Sequence, residues 1–220
     1  PTLALASDTG SSTTDGITNN RSVNVTGLET GASWQYSLNS GSSWTSGSGS
    51  SFMLTAGTTY AAGSIRVRQT DQAGNTGTNR QLASSVTIDT TASAPTLALA
   101  SDTGSSNTDG VTNNPSVTVT GLETGATWQY SINSGSSWTA GSGTSFVLAP
   151  GTYAAGSIQA RQTDQAGNTS AHAQLGSSVT IDTQALAPSL ALASDTGSSS
   201  TDGITNNTAV NVTGLETGAS

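Results

Sequence analysis

The side chains able to do chemistry in this 220-residue sequence are nearly all carboxylates: 13 Asp and Glu stand against 5 basic residues, a formal net charge of −8. Every basic residue is an arginine (Arg21, Arg66, Arg68, Arg80, Arg161), which excludes Schiff-base and isopeptide chemistry through lysine. With no cysteine there is neither a disulfide nor a thiolate-bound metal. His172 is the only histidine, so no Ser-His-Asp set can recur, and no enzyme is expected. What remains is hard oxygen: Asp8, Asp15, Asp71 and Asp89, the same set again at Asp102, Asp109, Asp164 and Asp182, and Glu29 with Glu123. Such donors suit Ca²⁺, which takes about six to eight oxygens in flexible geometry. A negative chain in which 8% of residues are charged is not built to grip nucleic-acid phosphates. No apolar run approaches the ~18 residues of a membrane helix, so membrane insertion is not expected either.

The elements that must position these oxygens come from a repeat. PTLALASDTGSS opens at Pro1 and returns at Pro95, and PSLALASDTGSS opens at Pro188, giving periods of 95 − 1 = 94 and 188 − 95 = 93 residues. RQTDQAGNT and SSVTIDT recur unchanged, and WQYSLNSGSSW returns as WQYSINSGSSW. We expect three units: 1–94, 95–187 and a partial third over 188–220 that supplies only two strands, an excerpt of a longer array. A unit of this size can hold its own core, unlike a solenoid repeat.

Each unit reads as seven short β-runs between turn signals: 2–6, 22–28, 34–39, 43–46, 51–54, 63–70 and 82–89 in the first. Leu3 and Leu5, Val23 and Val25, and Trp34, Tyr36 and Leu38 alternate, so one face is core and the other wet. Asn39-Ser40-Gly41 is a tight-turn signal, and no segment has helical period with caps. The fold class expected is all-β: tandem immunoglobulin-like β-sandwich domains in a linear array, without the antibody disulfide.

If successive strands reverse, an odd count sends the first and last the same way, and the chain enters and leaves each unit at opposite poles. The downstream pole of the first unit then carries Asp8, Asp15 and Asp89, and faces Glu123, Asp164 and Asn168 on the upstream pole of the second. Five carboxylates around one seam repel one another unless they are solvated or share a cation. The other reading is turn chemistry, because Asp-Thr-Gly, Asp-Gly and Asp-Gln-Ala-Gly-Asn all suit side-chain-to-backbone bonds. The loops match neither an EF-hand nor the glycine-rich nonapeptide of calcium-binding β-rolls. Trp34 and Trp128 are expected in the core, and Trp44 and Trp138 in hairpin packing. A carbohydrate-binding module, with Trp44 stacked on a glycan, is the alternative function.

LALASDTGSSTTDGITNN, WQYSLNSGSSW, RQTDQAGN and VTIDTTASAP together resemble the tandem Ig-like repeats of giant bacterial surface adhesins, the biofilm-associated and repeats-in-toxin type exported by type I secretion. The resemblance covers essentially the whole chain. It implies an extracellular extender that holds a terminal ligand-binding region away from the cell, with calcium stiffening the junctions. Carried over, it assigns junction ligands to Asp8, Asp15, Asp89 and Asp164, and the same roles to Asp102, Asp109, Asp182 and the residues from Asp195 onward. Relatives often place aspartate where this chain has Asn39 and Asn133, which weakens any calcium site there. The partners implied are neighbouring repeats of the same chain, parallel copies in a filament or matrix, and a glycan or host-surface ligand. A calcium-independent spacer is the rival within this reading.

Overall fold

Short runs of alternating side chains, broken every few residues by Gly, Ser and Asn, make short strands. In the computed structural model, which describes residues 1–216, the first repeat holds β1 (Thr2–Leu5), β2 (Ile17–Thr18), β3 (Ser22–Thr26), β4 (Ser33–Ser37), β5 (Thr45–Ser46), β6 (Ser51–Met53), β7 (Thr58–Tyr60), β8 (Arg66–Thr70), β9 (Arg80–Gln81) and β10 (Val86–Ile88). The second repeats the set as β11 (Thr96–Leu99), β12 (Val111–Thr112), β13 (Ser116–Thr120), β14 (Thr127–Ser131), β15 (Thr139–Ala140), β16 (Ser145–Val147), β17 (Gly151–Tyr153), β18 (Gln159–Thr163), β19 (Ala173–Gln174) and β20 (Val179–Ile181). A last antiparallel pair, β21 (Ser189–Leu192) with β22 (Val210–Thr213), matches the first two long strands of a repeat.

Each complete repeat is a β-sandwich without helices. In the first, β1–β3–β6 form one sheet and β5–β4–β8–β9 the other, and a third sheet, β2–β10–β7, adds Tyr60, Val86 and Ile88 to the core between them. Val23, Val25, Trp34, Phe52, Leu54, Ile65 and Val67 complete that core, and along β3 the alternation is clear, Val23 and Val25 buried with Asn24 and Thr26 exposed. Tyr36 stacks on Phe52 with ring centroids 4.2 Å apart, and Trp34 lies tilted against both. The second repeat builds the same core from Leu97 to Ile181 and shares no residue with the first.

The expected seven strands need revision. The run 82–89 is a strand only over β10, because the chain changes sheets there: β9 pairs with β8, whereas β10 pairs parallel with β2 and antiparallel with β7. β2 lies between the first two expected runs, and β7 lies outside all seven. Strands of two or three residues carry too few side chains to show a period.

A tight turn over 39–42, closed by Ser42 N donating to Asn39 O at 3.2 Å with left-handed backbone at Ser40 (φ 60°) and Gly41 (φ 92°), lies within the longer connection from β4 to β5. The Asn39 side chain organises it by accepting from Ser43 N and Ser37 Oγ at 2.9 Å each, a task that asparagine performs without a metal.

Candidate interdomain seam

The loop after β1 is shaped by its own aspartates. Asp8 Oδ2 accepts from Gly16 N at 2.9 Å, and Asp15 Oδ1 accepts from Ile17 N at 3.0 Å. These bonds hand the chain to β2, which zips to β10 through Thr87 N to Gly16 O (2.8 Å) and Asp89 N to Thr18 O (3.0 Å). Thr9 is fixed by Asn19 N, which donates to Thr9 Oγ1 at 2.9 Å. The result is a groove at the downstream pole, walled by 9–11 on one side and by the start of the linker on the other.

The turn after β18 fills it. Asp164 closes that turn on itself, accepting from Asn168 N and Asn168 Nδ2 at 2.8 Å each. The closed turn presents its carbonyls outward: Ser11 N donates to Gln165 O (3.1 Å) and Thr9 Oγ1 to Ala166 O (2.8 Å). Asn168 Nδ2 also donates to Asp89 O at 2.9 Å. Gly10 sits where any Cβ would overlap the Gln165 carbonyl, so the backbones meet directly. Ala166 is 1% exposed in this seam, whereas its counterpart Ala73, which no other segment covers among the described residues, is exposed.

A second contact holds the linker. Gln162, fully buried, accepts from Glu123 N (2.8 Å) and donates to Ser93 O (2.7 Å) and Gly121 O (3.1 Å). Glu123 Oε1 in turn accepts from Ser93 N at 2.7 Å, so both backbone groups of Ser93 are held. Two residues on, the buried Pro95 fixes φ where the second repeat begins.

The structure therefore gathers Asp89, Asp164, Asn168 and Glu123 at one seam, while Asp8 and Asp15 shape the loop behind it. Asp102 and Asp109 repeat the roles of Asp8 and Asp15, accepting from Gly110 N and Val111 N. Asp89 and Asp182 accept from the backbone two residues on, Thr91 N and Gln184 N. Asp71 lies on the upstream pole of the first repeat. The hydrogen bond from the Asn75 side chain, followed by that from the Asn75 backbone, holds its carboxyl below the ordinary aspartate range.

The donor chemistry is all oxygen, as a hard cation requires, yet among the described residues no three Asp, Glu, His or Cys side chains converge to hold a metal ion. One observation favours a cation nonetheless. Oδ1 of Asp8, and equally of Asp102 and Asp195, is buried and accepts no hydrogen bond from the protein, a costly position for a carboxylate oxygen.

Sequence reasoning passed over Thr9, Gly10, Ser93 and Gln162. Their signal was available for three of them: Thr9 and Gly10 recur as Thr103-Gly104 and Thr196-Gly197, and Gln162 recurs as Gln69 in the unchanged RQTDQAGNT. Trp44, the candidate glycan platform, is half-buried beneath the Arg68 guanidinium at 4.1 Å, and Trp138 lies likewise under Arg161.

A family model for the bacterial Ig-like domain matches residues 1–90 and again 91–183. No curated protein matches the chain. Among solved structures, the fibronectin(III)-like modules of CbhA from Clostridium thermocellum are 11% identical, aligning over 81% of this chain and 93% of theirs with a TM-score of 0.39. The two family matches coincide with the two sandwiches and their separate cores, and the chain belongs to the bacterial Ig-like domain family.

Proposed function

We propose that the chain is a stretch of extender from a bacterial surface adhesin: an extracellular stalk, exported by type I secretion, that carries an adhesive region away from the cell in adhesion and biofilm formation. The observation that supports it best is the seam. A turn of one repeat sits in a groove of the previous one and bonds to its backbone, while a short linker is gripped at Ser93. Such a joint suits a module whose task is to set the direction of the next. Low charge and a surface rich in Ser, Thr and Gly suit a stalk crowded among its neighbours.

Calcium at the seams is the finer part of the proposal. Asp89, Asp164 and Asn168 would offer oxygens at the joint and Asp8 its unpartnered Oδ1, with Asp102, Asp109 and Asp182 in the same places one repeat on and Asp15 and Asp71 at the flanking turns. Calcium at ten times its Kd would add about 1.4 kcal/mol to the docked state at each site. Small-angle scattering of the 220-residue chain in about 5 mM calcium and in chelator tests this, since extracellular modules bind at roughly millimolar calcium. A longer maximum dimension in calcium, abolished by Asp89→Ala with Asp164→Ala, supports a metal-stiffened stalk. Superimposable extended curves leave a calcium-independent spacer, and compact or broadly averaged curves in both conditions sink the extender reading.

A further inference from the structure

The downstream pole of the second repeat repeats the groove of the first, but nothing among the described residues enters it. It has a volume of about 430 Å³ and is walled by Thr103, Gly104 and Ser105 on one side and by Asp182 and Thr183 on the other. Four comparisons show that this is the same surface uncovered. Asp89 is half-buried and Asp182 exposed; Asn19 is half-buried and Asn113 exposed. A Cβ on Gly10 would overlap the Gln165 carbonyl, whereas one on Gly104 would find only Val111 O, 4.0 Å away. Ser11 N donates to Gln165 O, and Ser105 N has no such acceptor among the described residues.

The described part of the next unit makes one contact of the same kind. Leu186 N donates to Glu216 Oε1 at 2.7 Å, the bond that Ser93 N makes to Glu123 Oε1 at the first seam. The pair β21–β22 has the register of β11–β13, and its apolar side chains lie open, Leu190 being 70% exposed and Val212 48%. Among the described residues the second junction therefore shows the glutamate contact of the first seam, with the groove beside it uncovered.

We infer that the groove at Thr103–Ser105 and Asp182 is a docking socket for the Asp-Gln-Ala-Gly-Asn turn of a third complete repeat. The occupant is committed by the first seam, where that turn in the second repeat fills the equivalent groove. Recognition reads backbone: a carbonyl facing Ser105 N, a second facing Thr103 Oγ1, and an asparagine amide facing the Asp182 carbonyl. The groove therefore accepts any repeat carrying the closed turn, whatever its other loops, and Gly104 is held side-chain-free by a neighbour as well as by its own left-handed φ of 104°. This rests on the extender reading.

The test completes the third repeat. Residues 128–187 are appended after Ser220, which aligns with Thr127, and amide hydrogen exchange is followed at Ser11 and Ser105 in the 220-residue chain and in the lengthened one. We expect Ser11 protected in both, and Ser105 exchanging freely in the first and roughly tenfold more slowly in the second. Loss of the new protection when the appended turn carries the equivalent of Asn168→Ala would tie it to the turn. Ser105 left unprotected in a lengthened chain whose added repeat is folded overturns the inference while Ser11 still reports a docked seam; an unprotected Ser11 counts instead against the extender reading. Concentration-dependent protection of Ser105 in the 220-residue chain overturns the choice of occupant, because a second copy's residues 71–75 would then fill the groove.

Discussion

The Gln162 side chain donates to the Ser93 carbonyl at 2.7 Å, whereas its counterpart Gln69, in an identical stretch of sequence, donates to the Glu29 carboxylate at 2.8 Å. Both glutamines also accept from the backbone of the partner glutamate, Glu123 N and Glu29 N. The same side chain thus makes two different contacts: with its own glutamate in the first repeat, and with the linker in the second.

Gln162→Leu should therefore loosen the joint as well as weaken the domain. Three backbone groups lose their partner at a fully buried position, which costs about 1–3 kcal/mol. Gln69→Leu removes bonds within one repeat only. Urea unfolding should show a loss in both, and nuclear magnetic relaxation should show independent tumbling of the two repeats in Gln162→Leu alone.

Gly47→Ala and Gly141→Ala should each destabilise their repeat by about 1–3 kcal/mol, because the added methyl would enter the indole of Trp34 or Trp128, both buried. Moving the ring aside would also break the hydrogen bond from the adjacent Nε1 to Gly49 O or Gly143 O, 3.0 Å in each repeat. Gly176→Ala, with nothing within 4 Å of the new methyl, should stay within about 0.5 kcal/mol of the parent. Thermal or urea melts of the three variants decide it.

Much of this was legible before any coordinates. The repeat, the alternation in Val23/Val25 and Trp34/Tyr36, and the poles at which the acidic loops gather all follow from side-chain period and chain direction. What escaped was what another segment decides. Ala73 and Ala166 lie in identical turns, one exposed and one buried, so no local reading could separate them. Ile17-Thr18 is a strand only because β10 lies alongside, and the backbone N–H groups that Asp8 and Asp15 accept from, Gly16 N and Ile17 N, are set by how their loop closes.

Asp71 gives a pH signature. Its carboxyl is held below the ordinary aspartate value, chiefly by the Asn75 side chain, so it binds its proton less readily folded than unfolded. The contribution is present above the unfolded pKa and is lost as pH falls through the lower, folded value. Carbon-detected titration should give Asp71 a depressed midpoint, and Asn75→Ala should move that midpoint back up.

Trp44 and Arg68 should be energetically coupled. The guanidinium sits 4.1 Å above the ring while Arg68 Nε and one terminal nitrogen donate to Gln35 Oε1 at 3.0 and 2.7 Å. A double-mutant cycle of Trp44→Ala and Arg68→Ala should show about 0.5–1 kcal/mol of coupling. Additive losses would instead leave the ring free for a ligand, and glycan binding by the parent chain that Trp44→Ala abolishes without unfolding would favour the carbohydrate-binding alternative.

The parallel pairing of β2 with β10 has a mechanical consequence. When a stalk is pulled by its two ends, tension draws a strand near the start of a domain toward one end and the last strand toward the other. Because β2 and β10 run the same way, that pull slides them lengthwise past each other. The bonds from Thr87 N to Gly16 O and from Asp89 N to Thr18 O are then loaded together and must fail together, whereas an antiparallel pair peeled from one end would lose them in turn. A bead of this kind resists stretching through strands of only two and three residues.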